Sequence, residues 1–145
     1  LTLLFASSQW LDAVVREVNG HADLPRALAG LGADLAAVVE RDAAGPFPRG
    51  AAAWGRHEGG RIVSWRVLED EDDVLELEPA YVVRAPLSLW KDLLRGRADP
   101  VQAALSGRVK VKGDLDGLVR RAGYRYIVDE ALRRVETAFP DEVGG

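Results

Sequence analysis

The sequence contains no cysteine, which excludes disulfides, thiolate nucleophiles and cysteine-bound metals and fits an intracellular chain. Histidine is nearly absent. His21 and His57 are the only two, 36 positions apart, each in a polar loop or strand-end context. Both are read as surface side chains, and they leave metal chemistry without a ligand set. Long apolar runs are also missing: stretches such as Leu35–Val39 fall far short of the ~20 residues needed to cross a bilayer. Leu1–Ala6 is apolar but has no basic n-region and is too short for a secretory h-region, so a packed or frayed terminus is expected there rather than a signal. The closing Glu142-Val143-Gly144-Gly145 is neither a peroxisomal Ser-Lys-Leu address nor an ER retention signal. The cytoplasm is the expected location.

Catalytic patterns are equally scarce. None of the five serines, Ser7, Ser8, Ser64, Ser88 and Ser106, sits in a Gly-x-Ser-x-Gly elbow, the strand-to-helix turn that exposes a nucleophile. The acidic run Glu69–Asp73 lacks the spaced oxygen ligands and distal glutamate of a calcium loop. Gly30-x-Gly32 starts like a dinucleotide fingerprint, yet no third glycine follows and a strand comes where a helix should. No catalytic residue, cofactor or metal is therefore expected, and the chain is read as a non-enzyme.

What is present is enough apolar surface for one core: 145 residues, 48% hydrophobic and 29% charged, the proportions of a single soluble domain spanning 1–145. A net charge of −4 argues against nucleic-acid binding, which needs a concentrated positive footprint. The charge is segregated. Seven carboxylates and no base lie between Glu69 and Glu78, whereas Arg108–Arg134 holds eight Lys/Arg.

Local patterns place the elements. Trp10, Leu11, Val14, Val15 and Val18 recur at helical spacing behind Ser7 as N-cap, and Asn19-Gly20 ends that helix. A short helix about Leu24–Leu28 follows, with Asp23 as cap and Pro25 in its first turn. Ala33–Arg41 suits a largely buried strand, and Gly45-Pro-Phe-Pro-Arg-Gly50 forces a loop. Ala51–His57 and Arg61–Leu68 flank Gly59-Gly60, a pair suited to a hairpin turn; Val63, Trp65 and Val67 are placed on one face of the second strand. Glu69–Asp73 reads as a hydrated loop tip. After a strand at Tyr81–Ala85, Leu89, Trp90, Leu93 and Leu94 form a helical stripe ended by Gly96, and Asp99-Pro100 opens a second short helix stopped by Gly107. Arg108–Gly113 alternates base and valine as an edge-like strand with Val109 and Val111 inward. Asp114 caps a last helical region, beginning with Leu115, Leu118 and Val119 and continuing as a stripe of Tyr124, Ile127, Val128, Ala131, Leu132 and Val135, which Pro140 closes. Strands flanked by blocks of helix indicate an α+β domain.

One long stretch is distinctive in spacing: Trp90 on a helix, Gly96, Asp99-Pro100, then Gly107-Arg-Val-Lys-Val-Lys-Gly-Asp114 before Leu115 and Leu118. It resembles the sterol carrier protein 2 lipid-transfer domain. Trp10 with Asn19 in the first helix, and the strand, Gly-Pro loop, strand order, are similar to bacterial members. The resemblance spans about Phe5–Val135 and is strongest from Tyr81 to Leu118. It implies a five-stranded, mainly antiparallel sheet covered on one face by helices, with an apolar tunnel between them. It also implies non-catalytic binding and transfer of an apolar ligand: a sterol, fatty acid, fatty acyl-CoA or isoprenoid lipid. The alternative is an accessory module docking onto a lipid-metabolising enzyme.

Under that resemblance Trp54, Val63, Trp65, Val67 and Val83, with Trp90, Leu93, Leu105, Tyr126 and Ile127, are candidates to line the cavity. Core and lining share one sequence signature, because a lipid site needs only apolar width and few polar groups. Arg108, Lys110 and Lys112 read either as a charged edge that blocks sheet aggregation or as contacts to an anionic headgroup or a transient anionic membrane surface. The expected partners are thus an apolar small molecule or lipid and such a surface, with no nucleic acid, the chain being a monomer or homodimer. The last helix is the expected lid, since a terminal element opens at low cost.

Overall fold

The computed structural model describes residues 1–114, 117 and 121–143. Leu115, Leu118 and Val119, expected to open the last helical region, lie outside the described residues. Five strands form one sheet: β2 (Ala33–Val39), β3 (Ala51–Glu58), β4 (Arg61–Leu68), β5 (Tyr81–Ala85) and β6 (Lys110–Lys112). Their spatial order is β4-β3-β2-β5-β6. Every neighbouring pair is antiparallel except β2 and β5, which run parallel. The sheet is therefore mixed and mainly antiparallel, as expected. A further pair, β1 (Leu3–Leu4) with β7 (Thr137–Ala138), runs parallel.

Six helices complete the described fold: α1 (Ser8–Asn19), α2 (Leu24–Ala27), α3 (Asp73–Leu77), α4 (Leu87–Leu94), α5 (Pro100–Leu105) and α6 (Ala122–Arg134). Ser7 caps α1, its Oγ accepting the Trp10 N–H at 3.2 Å, and all five apolar residues of the helical stripe are buried. Asp99 caps α5 by accepting the N–H groups of Val101 and Gln102 at 2.8 and 3.3 Å, and Pro100 occupies the first turn, where its missing N–H costs nothing. Asp114 accepts the Gly117 N–H at 3.0 Å. At the β3–β4 turn Gly59 and Gly60 have φ of 62° and 80°, the left-handed values that a two-residue hairpin needs at both central positions.

Several local expectations are corrected. Gly20 has φ −80° and uses no left-handed conformation; α1 ends instead where the Asn19 side chain turns to β4. Asp23 stands at the start of α2 but makes no side-chain cap. The last helix stops at Arg134, short of Pro140, because the chain leaves it extended to pair β7 with β1. That pairing buries Phe5 between Trp10 and Phe139, with ring centroids 5.0 and 5.1 Å apart. In β4 the register shifts opposite Arg56 and His57: Ile62 pairs with His57 and Ser64 with Arg56. Val63 is the extra residue of a β-bulge, which flips the alternation by one position. Ile62 is consequently buried, while Val63 is 45% exposed.

The two faces of the sheet bury different clusters. On one, Val39, Ala51, Ala53, Ile62 and Val67 pack with α1, α2 and α6, and Val83, Ala85 and Val111 pack with α4 and α5. On the other, Ala36, Val38, Ala52, Leu68 and Val82 receive Val74 and Leu77 of α3. The acidic run is therefore more than a hydrated tip. Its end forms α3, and Arg41 gathers its charge, with Nε 2.8 Å from Glu71 and a terminal nitrogen 2.6 Å from Asp72. No helix among the described residues is long and apolar enough to cross a membrane.

Candidate functional site: the apolar layer beneath the last helix

The helix-covered face carries most of the candidate residues. Helix α6 buries Ile127 and Ala131 and half-buries Tyr124, Val128 and Leu132 against the first cluster. Trp90 of α4 packs against both this cluster and the one under α4 and α5. Its indole N–H donates to the Val38 carbonyl at 2.9 Å, so one side chain joins two apolar volumes into a continuous layer. Val67 lies in the first volume; Val83 and Leu93 lie in the second.

Other candidates fall elsewhere. Trp54 pairs with Ala36 on the opposite face, in the cluster with Val74 and Leu77, and its indole N–H donates to Asp34 at 2.9 Å. Trp65, 37% exposed, donates its indole N–H to Asp12 of α1 at 2.9 Å. Leu105 on α5 and Tyr126 on α6 are 67% and 61% exposed. Lys110 and Lys112 sit on the sheet face opposite Val111, paired with Arg84 and Val82, and Lys110 lies 3.6 Å from Glu40. Arg108 is exposed just before β6.

Sequence reasoning missed the most polar feature of the layer. His57, read as a surface side chain, is 4% exposed and is the one buried polar or charged residue among those described. Its Nδ1 lies 3.0 Å from the Ala33 carbonyl and its Nε2 2.6 Å from the Tyr124 hydroxyl. A carbonyl only accepts, so Nδ1 carries the proton and Nε2 accepts the Tyr124 O–H. Burial lowers the His57 pKa below the ordinary imidazole value, against the Ala33 hydrogen bond, which raises it. Burial likewise pushes the Tyr124 phenol up. The missing signal was the alternation of β3: Ala51, Ala53, Gly55 and His57 share one face, and that face meets the helices.

Two depressions have other linings. One, of about 500 Å³, is bounded by Arg26, Tyr81, Asp114 and Arg121; the second, of about 940 Å³, lies among the charged side chains of the Glu40–Asp42 segment, α4, Asp141 and Glu142. No group of three or more potential metal ligands occurs among the described residues. Among the described residues, the layer beneath α6 offers apolar contact and one hydrogen-bonded imidazole–phenol pair.

This architecture is shared with known proteins. A crystal structure of sterol carrier protein 2 superimposes with a TM-score of 0.79 at 25% identity, covering 90% of this chain and 98% of that one. The chain has the sterol carrier protein 2 fold. Residues 63–120 match the SCP-2 sterol transfer family, so the stretch from Trp90 to Asp114 that carries the resemblance lies inside the matched segment. A solution structure from Thermus thermophilus, described as possibly a sterol carrier protein, gives a TM-score of 0.78 at 24% identity over 95% of this chain and 94% of that one. The ubiquinone synthesis protein UbiJ-SCP2 shares the fold at a TM-score of 0.52 and 17% identity, over 83% and 86% of the two chains. A search of curated protein sequences finds no match.

Proposed function

We propose that this protein binds and transfers an apolar ligand without catalysis, holding it between the sheet and α6. The observation that carries the reading is the continuous apolar layer joined at Trp90 and closed by a helix near the end of the described chain. The sterol-carrier names of the proteins with this fold agree with it.

The energetics are sufficient. Apolar transfer contributes about 0.8 kcal/mol per methylene, so a chain of ~10 carbons supplies roughly 8 kcal/mol before ordering costs, enough for micromolar affinity without a specific polar contact. Lifting α6 exposes the space that Ile127, Val128 and Leu132 fill, so the ligand replaces side-chain contacts rather than entering a rigid hole. Arg108, exposed just before β6, is the base proposed to meet an anionic headgroup during exchange, whereas Lys110 and Lys112 stand on the sheet face away from α6. The ligand classes we propose are sterols, fatty acids, fatty acyl-CoA and isoprenoid lipids.

Extraction of the purified protein into organic solvent for mass spectrometry, with titration by a fluorescent fatty acid and by acyl-CoA, tests the reading. A co-purifying lipid and a saturable change in tryptophan emission are expected. An empty extract with unchanged emission would overturn it, and a stable protein partner captured by a ligand-free protein would favour the docking-module alternative.

A further inference from the structure

We propose that His57 and Tyr124 form an acid-released latch that holds α6 against the sheet. The latch is built from two hydrogen bonds in series, Ala33 carbonyl to Nδ1–H and Nε2 to the Tyr124 hydroxyl, at 3.0 and 2.6 Å. The rings meet edge to face with centroids 5.2 Å apart. In this arrangement β2, β3 and α6 are linked through one neutral imidazole.

Protonation breaks the logic of the series. An imidazolium has two donors and no acceptor, so Tyr124 loses the partner for its O–H and must turn that proton elsewhere in a half-buried setting. The charge would also sit in an apolar site. Among the described residues, apolar Ile62 of β4 pairs with His57, Asp34 from β2 favours the charge, and Arg121 at the start of α6 opposes it. Asp34 accepts hydrogen bonds from Trp54 and from the Ala80 N–H, on the far side of the sheet, and makes none with His57. Arg121 also anchors the start of α6 by donating to the Ala27 and Ala29 carbonyls at 3.1 and 3.3 Å, so opening the latch leaves that end tethered and frees the helix beyond it.

The sign follows from linkage. The closed state depresses the imidazole pKa from 6.5, so the open state binds protons more readily. The contribution of the latch to closure is complete above that value and declines as pH falls through and below it. His21, in the loop after α1, lies 3.4 Å from Glu130 of α6.

The mechanism rests on the carrier reading only for its consequence, release of ligand on acidification. Hydrogen exchange of residues 122–134 in the full chain, corrected for intrinsic chemical rates, tests the latch from pH 7.5 to 5. Protection is expected to fall by up to about tenfold per pH unit below ~6.5, while β2 and β3 stay protected. His57→Gln, which keeps an uncharged donor and acceptor, should flatten the profile. Imidazole ¹⁵N shifts of the unaltered protein supply a readout that needs no variant: the Nδ1–H tautomer at pH 7.5, and a titration coincident with loss of α6 protection. A His57 that stays neutral while α6 loosens, or that protonates without loosening it, overturns the latch. Parinaric acid, a fluorescent fatty acid, reports the ligand separately. Its release parallel to exchange is expected, whereas absence of binding at pH 7.5 removes the carrier reading and leaves the latch to be decided by exchange alone.

Discussion

The side chain of Asn19 treats Ile62 as a neighbouring strand would. Its Nδ2–H donates to the Ile62 carbonyl and its Oδ1 accepts the Ile62 N–H, both at 2.9 Å. Strand β4 lies at the edge of the sheet, and Ile62 is its last residue before the bulge. The carboxamide therefore satisfies an edge that would otherwise be free to pair with another chain. Replacing it with alanine leaves both backbone groups to find water in a partly buried place. Asn19→Ala is expected to cost about 1–3 kcal/mol in urea unfolding. Asn19→Asp should cost at least as much, because it loses the donor and sets a carboxylate against the Ile62 carbonyl. An aspartate variant as stable as the parent would contradict this account of the edge.

Gly113 and Gly59 separate two reasons for a glycine. Both have positive φ, 113° and 62°, but a Cβ at Gly59 meets nothing within 4 Å, whereas one at Gly113 falls 2.6 Å from the Ala80 carbonyl and 2.8 Å from the Tyr81 ring. Gly59→Ala should cost about 1 kcal/mol, the conformational penalty alone. Gly113→Ala should cost at least about twice that, because β5 must move away. Equal midpoints in denaturant titrations of the two variants would refute the close approach of Gly113 to β5.

Trp90 is the joint of the apolar layer, and its two contributions are separable. Trp90→Phe keeps most of the apolar contact but loses the bond to the Val38 carbonyl, so a loss of about 1 kcal/mol is expected. Trp90→Ala opens a void between the clusters and should cost about 3 kcal/mol or more. Calorimetric unfolding of both variants measures the difference.

Much of this was legible from local chemistry. The Asp99-Pro100 cap, the Gly59-Gly60 turn and the Ser7 cap each follow from a backbone need that few residue types meet. The parallel junction of β2 with β5 has no such local signal, because sheet order is set by contacts between segments far apart in sequence. The bulge at Val63 shifts every later side chain by one place, so a period-two reading begun at Val63 selects the wrong neighbour, Val63 in place of Ile62. The two-residue strands β1 and β7 are too short for any period. His57 was misread because polarity outweighed its position in β3, although the alternation Ala51, Ala53, Gly55 already pointed it inward. Within the candidate site, Val67, Val83, Trp90, Leu93 and Ile127 share the helix-covered face. Trp54 has the apolar bulk of a lining residue, but it alternates with Ala53 and Gly55 along β3 and so lies on the other face.

The central claim is that an apolar ligand is held between the sheet and α6. Cross-linking with a photoreactive fatty acid, followed by peptide mapping, tests it most directly. Adducts are expected on α6 around Ile127, on α4 around Trp90 and on the inward residues Val67 and Val83. Adducts confined to the Trp54 face, or labelling that an excess of unlabelled fatty acid fails to suppress, would contradict it.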